Sequence, residues 1–148
     1  MIFPRAPGTS RGVSAAFEVF QLERIVDESG TIHVGELTSR GTGSFDRFYF
    51  ITDVPWGERR GGHAHRAQHE YVICLRGSVT VHIEARGRRD AVELSDPGRA
   101  LYLPAGYWRD LVDFSADAVI AVLASHPFSE ADYIRDLDDF HRWEAGIA

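Results

Sequence analysis

The chain has 148 residues, 44% of them hydrophobic, and a formal net charge of −6. This size suits one domain with its own core, and the negative charge argues against general binding to nucleic acid or to anionic membranes, which requires a basic face. No apolar run approaches the roughly 18 residues that span a bilayer, no apolar signal segment is visible, and the lone Cys74 cannot form an internal disulfide. We therefore expect a cytoplasmic protein that binds neither nucleic acid nor membranes.

Short β-prone runs dominate the chain after its first residues. Residues 1–16 are rich in Gly, Pro, Ser and Ala and are predicted to form a flexible arm, which leaves 17–148 as a single domain. Turn signals separate the later runs at regular spacing, which is typical of a β-sandwich or barrel. The tail from Glu130 to Trp143 is predicted to contain helical turns. The predicted strands are Phe17–Val26, Thr31–Leu37, Phe48–Asp53, His63–Arg66, His69–Leu75, Ser78–Glu84, Ala91–Leu94, Ala100–Leu103, Trp108–Asp113 and Ala118–Ala124.

Two of these strands are apolar on both faces. The run Ala118–Ala124 is apolar throughout, and His69–Leu75 places Tyr71, Ile73 and Leu75 on the face opposite Glu70. A strand that is covered on one side only alternates cleanly between apolar and polar residues. The outer face therefore needs a cover, from the tail or from a second subunit, and we expect a homodimer.

Two blocks match the motifs of the cupin barrel. The first runs from Gly57 through His63-Ala-His65 and Glu70 to Gly77, with the motif's spacing throughout. The second, Gly98-Arg-Ala-Leu-Tyr-Leu-Pro-Ala-Gly-Tyr-Trp-Arg109, matches up to its last key position, where a metal-binding cupin carries histidine and this chain carries Arg109. The sequence thus predicts an all-β fold, a cupin-type (double-stranded β-helix, jelly-roll) barrel with a short helical C-terminal tail.

The His-x-His pair indicates the chemistry. Residues two apart on a strand point to the same face, so His63 and His65 are expected to share the barrel lumen. Together with Glu70 they would form a 2-His-1-carboxylate set suited to iron or a similar divalent metal. Against that reading, Arg109 offers no lone pair and would place a positive charge beside the cation. A metal-dependent cupin enzyme that uses His63, His65 and Glu70 stays open as an alternative.

A site without metal gives these residues other roles. An imidazole titrates near neutral pH and can take up and return a proton. The fixed charge of Arg109 can stabilise an oxyanion that develops beside a carbonyl.

Several further segments, together with the histidine block, resemble the dTDP-sugar 3,4-ketoisomerases, also called the FdtA/WxcM-like sugar ketoisomerases. The resemblance covers about residues 20–140, and its pieces occur in the family's order. They are Arg59-Arg60-Gly-Gly-His63-Ala-His65, Leu75-Arg-Gly-Ser78, Leu101-Tyr-Leu-Pro104, Trp108-Arg109, Asp113-Phe-Ser115, Val122-Leu-Ala-Ser125, Asp132-Tyr-Ile-Arg-Asp136 and Asp139-Phe140.

The resemblance implies a homodimeric cupin enzyme, without metal or other cofactor, that moves the ketone of a dTDP-4-keto-6-deoxyhexose from C4 to C3. It implies His65 as the base, His63 as an assistant in proton movement, and Arg109 as the group that binds the charged oxygen. The residues expected to bind the substrate are Arg60, Arg59 and Arg47 at the pyrophosphate, and Tyr49 and Tyr102 at the sugar.

The chain departs from the family pattern at two positions. Ser29 stands where relatives often have arginine, which leaves the exact substrate and product open. Glu70 stands where relatives usually have glutamine, which keeps the metal alternative open. A non-catalytic sugar-nucleotide binding module, or another sugar-nucleotide enzyme such as an epimerase, is the third possibility.

Overall fold

The computed structural model describes residues 16–37 and 44–146, and these are mostly β-strand. Nearly all of the predicted N-terminal arm lies outside the described residues. The elements are β1 (Glu18–Gln21), β2 (Glu23–Asp27), β3 (Gly30–Val34), β4 (Arg47–Ile51), β5 (Arg60–His65), β6 (Glu70–Arg76), β7 (Val79–Ala85), β8 (Arg88–Leu94), β9 (Arg99–Leu103), β10 (Trp108–Val112), β11 (Val119–Ala124), a 3-10 helix (Glu130–Asp132), β12 (Tyr133–Ile134) and α1 (Leu137–Glu144).

Two five-stranded antiparallel sheets enclose one core. Their strand orders are β1-β9-β6-β11-β4 and β12-β5-β10-β7-β8, and β2 and β3 form a separate hairpin. Buried side chains from both sheets, such as Val72, Val81, Leu101 and Ile120, pack into a single cluster. The predicted all-β, cupin-type architecture is confirmed.

The first predicted strand, Phe17–Val26, is two strands. β1 pairs with β9, whereas β2 pairs with β3, and the chain changes partner at Leu22. The Leu22 amide donates to the Gly98 carbonyl across a distance of 2.7 Å, which holds the chain at this change of direction. Local β propensity continues across Leu22, so the break is set by the pairing of β1 with the distant strand β9.

The tail contains a strand as well as the predicted helical turns. Asp136 caps α1 by accepting a hydrogen bond from the Asp139 amide, and Phe140 packs with Ile134 and Trp108 in a small second core. β12 pairs with β5, with Tyr133 opposite His65. The tail therefore reaches the histidine strand. None of the helices in the described ranges is long or apolar enough to cross a membrane.

The outer face of β6 is less open than the sequence predicts. Tyr71 is fully buried, because Phe20, Phe45 and Tyr102 of the same chain pack against its ring at centroid distances of 5.6, 5.2 and 5.0 Å. The expectation that Tyr71 would be exposed in a lone subunit is wrong. Leu75, at the other end of the strand, is exposed.

Candidate active site

A cavity of about 670 Å³ is lined by residues from both sheets. Its lining includes three largely buried polar side chains, His63, Glu70 and Arg109, and a set of arginines at more exposed positions. The arginines that line it are Arg47, Arg59, Arg60, Arg109 and Arg135. Positive charge is therefore concentrated in this cavity although the whole chain is acidic.

The close approach of β5 and β10 positions two of these groups. Gly61 has a φ of +89°, and a Cβ atom there would lie 2.7 Å from the carbonyl oxygen of Arg109, so the position excludes a side chain. Next to this contact the register places His63 opposite Arg109 and then shifts between Arg109 and Asp110. Both side chains are thereby directed to the same cavity.

The two histidines differ in their access to the cavity. Their ring centroids are 4.9 Å apart. His63 lines the cavity, and neither of its ring nitrogens has a hydrogen-bond partner among the described residues. The His65 side chain is 0% exposed, and its Nε2 lies 3.3 Å from Oε1 of Glu70. His65 thus contacts Glu70, which lines the cavity, but does not line the cavity itself.

The guanidinium of Arg109 is buried without a full set of partners. Its Nη2 lies 3.9 Å from Oε2 of Glu70, and none of its three nitrogens has a hydrogen-bond partner in the described part of the chain. A buried cation with unpaired donors is costly. The arrangement suits an anion or a developing oxyanion in the cavity.

Glu70 stays ionised in this environment. Burial alone would raise the pKa of its carboxyl group, but Arg109 and then a hydrogen bond from His65 outweigh burial and lower the pKa to about 2. The Tyr49 hydroxyl donates to Oε1 of Glu70 at 3.3 Å. Burial, followed by the charge of Glu70, raises the pKa of Tyr49 well above its ordinary value. Tyr49 therefore remains a hydrogen-bond donor.

His63 is held in its uncharged form. Burial, the nearby Arg109 charge and His65 lower its pKa from an ordinary 6.5 to about 4. An uncharged imidazole carries one donor and one acceptor, so His63 can pass a proton between two oxygens.

The lowered pKa of His63 predicts acid sensitivity of the fold. Between pH 6.5 and pH 4 the unfolded chain takes up a proton on His63 that the folded chain does not, so stability is lost as the pH falls through this window. Glu70 adds a further loss from pH 4.5 toward 2, because its pKa is lowered on folding. We expect His63→Asn to lose less unfolding free energy than the wild type between pH 7 and pH 5, as measured by urea denaturation. The matched control is His82→Asn on the exposed outer face of β7; equal losses in wild type and His63→Asn would contradict the assignment.

The cavity contains most of the predicted site residues. Arg47, Arg59, Arg60 and Tyr49 line it with His63 and Arg109. Two of the predicted site residues do not line the cavity: the fully buried His65, which was expected to share the lumen with His63, and Tyr102. Its neighbours in β9, Leu101 and Leu103, fill the core, so Tyr102 points to the other face of the strand and packs against Tyr71 and His69.

The tail supplies residues that the sequence reasoning missed. Arg135 and Tyr133 line the cavity, and the Arg135 guanidinium lies 4.2 Å from the centroid of the Tyr133 ring. The Tyr133 ring is 4.4 Å from that of His65. The available signal was the Asp132-Tyr-Ile-Arg-Asp136 run, which is one of the segments that carry the family resemblance but to which no role was assigned.

The proposed metal ligands do not form a ligand set. Among residues 16–37 and 44–146 no group of three or more His, Cys, Asp and Glu side chains is placed to hold a metal ion. His65 directs its Nδ1 to Asp132 and its Nε2 to Glu70, and the Arg109 cation lies beside Glu70. The residues present do not fit a metal, and independence from cofactors stays a prediction.

Comparisons with known proteins agree with this geometry. A TDP-4-oxo-6-deoxy-alpha-D-glucose-3,4-oxoisomerase from Aneurinibacillus thermoaerophilus is 34% identical over 130 residues, which are 88% of this chain and 94% of the relative. The sugar 3,4-ketoisomerase QdtA of Thermoanaerobacterium thermosaccharolyticum, in complex with TDP, is 31% identical with a TM-score of 0.80 over 88% of this chain and 95% of QdtA. A 3,4-ketoisomerase from Helicobacter canadensis is 27% identical, with a TM-score of 0.83 over 87% and 97% of the two chains.

The class of protein follows from the fold and the match together. Residues 15–145 match the FdtA family, described as WxcM-like, C-terminal. The chain belongs to this family of cupin-type sugar ketoisomerases.

Proposed function

We propose that the protein catalyses the metal-independent 3,4-ketoisomerisation of a dTDP-4-keto-6-deoxyhexose to the 3-keto sugar. The observation that carries the proposal is the buried Arg109 guanidinium, which has no hydrogen-bond partner among the described residues and lies in one cavity with His63 and Glu70. The relatives support the substrate class: a histidine-to-asparagine mutant of QdtA has been crystallised in complex with TDP-4-keto-6-deoxyglucose. That protein is 30% identical to this chain.

The reaction moves one hydrogen from C3 to C4 and one proton from the C3 oxygen to the C4 oxygen. The C4 carbonyl acidifies the C3 hydrogen, which His65 removes, and the electron pair forms the C3=C4 bond of an enediolate. The charged C4 oxygen, stabilised by Arg109, takes up a proton and becomes a hydroxyl. The C3 hydroxyl then loses its proton as C4 gains one, which leaves the ketone at C3. His63 moves the proton between the two oxygens.

Different polar side chains around the cavity are assigned to different parts of the substrate. The planar guanidinium of arginine matches the geometry of phosphate oxygens. The diphosphate is therefore assigned to Arg60, Arg59 and Arg47. Arg135 joins this group because it also lines the cavity. Tyr49, held protonated beside Glu70, is assigned to a sugar oxygen. Much of the affinity should then come from the nucleotide, and the transition-state stabilisation from Arg109.

Turnover in the presence of a chelator tests the function. The protein is incubated with dTDP-4-keto-6-deoxyglucose, with and without EDTA, and the sugar is followed by NMR. Conversion to the 3-keto isomer at the same rate in both samples is expected. Loss of activity with EDTA, restored by a divalent metal, would favour the metal-dependent enzyme. Tight binding of the nucleotide sugar without conversion would indicate a binding module.

We further propose that the protein acts as a homodimer. Support comes from the edge strand β4 and the neighbouring face of its sheet, where Phe48, Phe50 and Leu75 are 68%, 56% and 44% exposed. Exposed apolar patches usually mark interfaces. Sedimentation at micromolar concentration is expected to give a dimer, and Phe48→Ser/Phe50→Ser should shift it toward monomer. A monomer throughout the concentration series would contradict this. The cytoplasmic location stays a prediction from the sequence.

A further inference from the structure

The two carboxylate oxygens of Glu70 have different surroundings. Oε1 accepts from the side-chain amide of Gln68 at 2.8 Å and from the Tyr49 hydroxyl at 3.3 Å, and Nε2 of His65 also lies 3.3 Å from it. Oε2 lies 3.9 Å from Nη2 of Arg109 and accepts no hydrogen bond from the described residues. The lone pairs of Oε2 are therefore available to a further donor.

That donor has to come from the cavity. The Glu70 side chain is only 3% exposed, and both Glu70 and Arg109 line the cavity. Despite its burial, the carboxyl group has a pKa that Arg109 and His65 lower to about 2, so it stays ionised and only accepts hydrogen bonds. A buried charged acceptor is costly unless a donor meets it. The cavity thus presents an acceptor that suits a hydroxyl group of the bound molecule.

The sugar of the proposed substrate has two hydroxyl groups. In a 4-keto-6-deoxyhexose that is linked to the nucleotide through C1, C4 is the ketone, the C5 oxygen closes the ring and C6 is a methyl group, so hydroxyls remain at C2 and C3. The C3 hydroxyl gives up its proton during the reaction, through His63. The C2 hydroxyl keeps its proton throughout and can donate to one acceptor in the substrate, the intermediate and the product.

We propose that Glu70 is a specificity-determining residue: its Oε2 accepts a hydrogen bond from the C2 hydroxyl of the sugar and selects for ligands that carry this group. The inference rests on the proposed function, which identifies the sugar and the carbon atoms that react. With Arg109 at the C4 oxygen and Glu70 at the C2 oxygen, the ring is held on both sides of C3, where the proton is removed. A hydrogen bond to an ionised acceptor is about twice as strong as one between neutral groups.

Removal of the C2 hydroxyl from the ligand tests this contact without any change in the protein. dTDP-6-deoxyglucose and dTDP-2,6-dideoxyglucose have a hydroxyl at C4 instead of the ketone, so calorimetry measures their binding without turnover. We expect the wild type to bind the 2-deoxy ligand about 10–100-fold more weakly, because that ligand leaves a buried charged acceptor unpaired. Equal affinities for the two ligands would overturn the proposal.

Glu70→Gln shows whether this preference depends on the carboxylate. Gln68 and Tyr49 donate to the position of Oε1, so the amide oxygen of the new side chain takes that place and its NH₂ group replaces Oε2. The C2 hydroxyl then meets a neutral group, and we expect the preference to fall to about threefold or less. Glu84→Gln, on the outer face of β7 and away from the cavity lining, is the matched control and should keep the wild-type preference. An undiminished preference in Glu70→Gln would assign the contact to another residue and refute the proposal.

Kinetics separates this contact from the groups that transfer protons. The C2 hydrogen bond is present before and during proton transfer, so its loss should act on KM and not on kcat. With dTDP-4-keto-2,6-dideoxyglucose the wild type should show a KM raised about 10–100-fold and a kcat within about threefold of that for the 2-hydroxy substrate. A lower kcat with unchanged KM would contradict a role in selection. If neither keto sugar is converted but the binding preference is found, the proposed isomerase function fails and the selection by Glu70 stands.

Discussion

His65→Asn is expected to lower turnover by about 10²–10⁴-fold, the usual contribution of a general base. Asparagine cannot take up a proton at any working pH, whereas its amide can still donate to Asp132 and sit among the polar neighbours Gln68 and Glu70. The fold should therefore be retained. Turnover and thermal unfolding are measured in parallel, with His82→Asn on the outer face of β7 as the control.

The pair of variants His63→Asn and His65→Asn assigns the roles of the two rings. His63 lines the cavity, whereas His65 is fully buried and does not line it, so exposure alone would give the base role to His63. Exchange of the C3 hydrogen with solvent distinguishes them. If His65 is the base, its variant loses exchange, while His63→Asn keeps exchange and loses conversion to product. Near wild-type exchange in His65→Asn would remove His65 from the mechanism.

Arg109→Met is expected to cut turnover by about 10²–10³-fold, as is typical when one preorganised donor to an oxyanion is lost. The interaction forms mainly as charge develops on oxygen, so the affinity for TDP should change little. kcat, KM and the Kd of TDP are measured together. A variant that loses TDP affinity in proportion to its rate would show that Arg109 binds the nucleotide instead.

Arg109→Met is also expected to destabilise the fold, and a second substitution at Glu70 separates this effect from the loss of catalysis. Removing the cation takes away the strongest of the influences that keep the buried Glu70 ionised, and breaking a buried ion pair in this way typically costs about 3–5 kcal/mol. Arg109→Met/Glu70→Gln removes the uncompensated charge. We expect it to recover most of the lost stability while turnover stays low. If turnover recovers with stability, the loss in the single variant was a folding defect.

Much of the architecture could be predicted because the local sequence pattern determines where the strands lie. The strand predicted at Ser78–Glu84, and observed as Val79–Ala85, follows from its alternation of apolar and polar residues and from the glycines just beyond its ends. The two motif blocks, Gly57–Gly77 and Gly98–Arg109, predicted that His63, Glu70 and Arg109 belong to one site, and all three line the cavity.

The features that could not be predicted depend on contacts between distant segments. Period-two alternation places His63 and His65 on one face but does not show that His63 lines the cavity while His65 is fully buried against Glu70. Tyr102 was assigned to the sugar from the family resemblance, and the register of β6 with β9 shows that it lies opposite Tyr71 instead. The short strand Tyr133–Ile134 has no periodicity of its own, so its pairing with β5 and the contact from Asp132 to His65 are visible only in the folded chain.

The position of deuterium in the product tests the central claim most directly. The protein is incubated in deuterated water with dTDP-4-keto-6-deoxyglucose and EDTA, and the sugar ring is followed by NMR at early times. A metal-free enediol mechanism predicts a product whose ketone lies at C3 and whose C4 carries deuterium, with C5 unlabelled. A sugar that keeps its ketone at C4 and gains deuterium at C3 and C5 would contradict the account and indicate an epimerase.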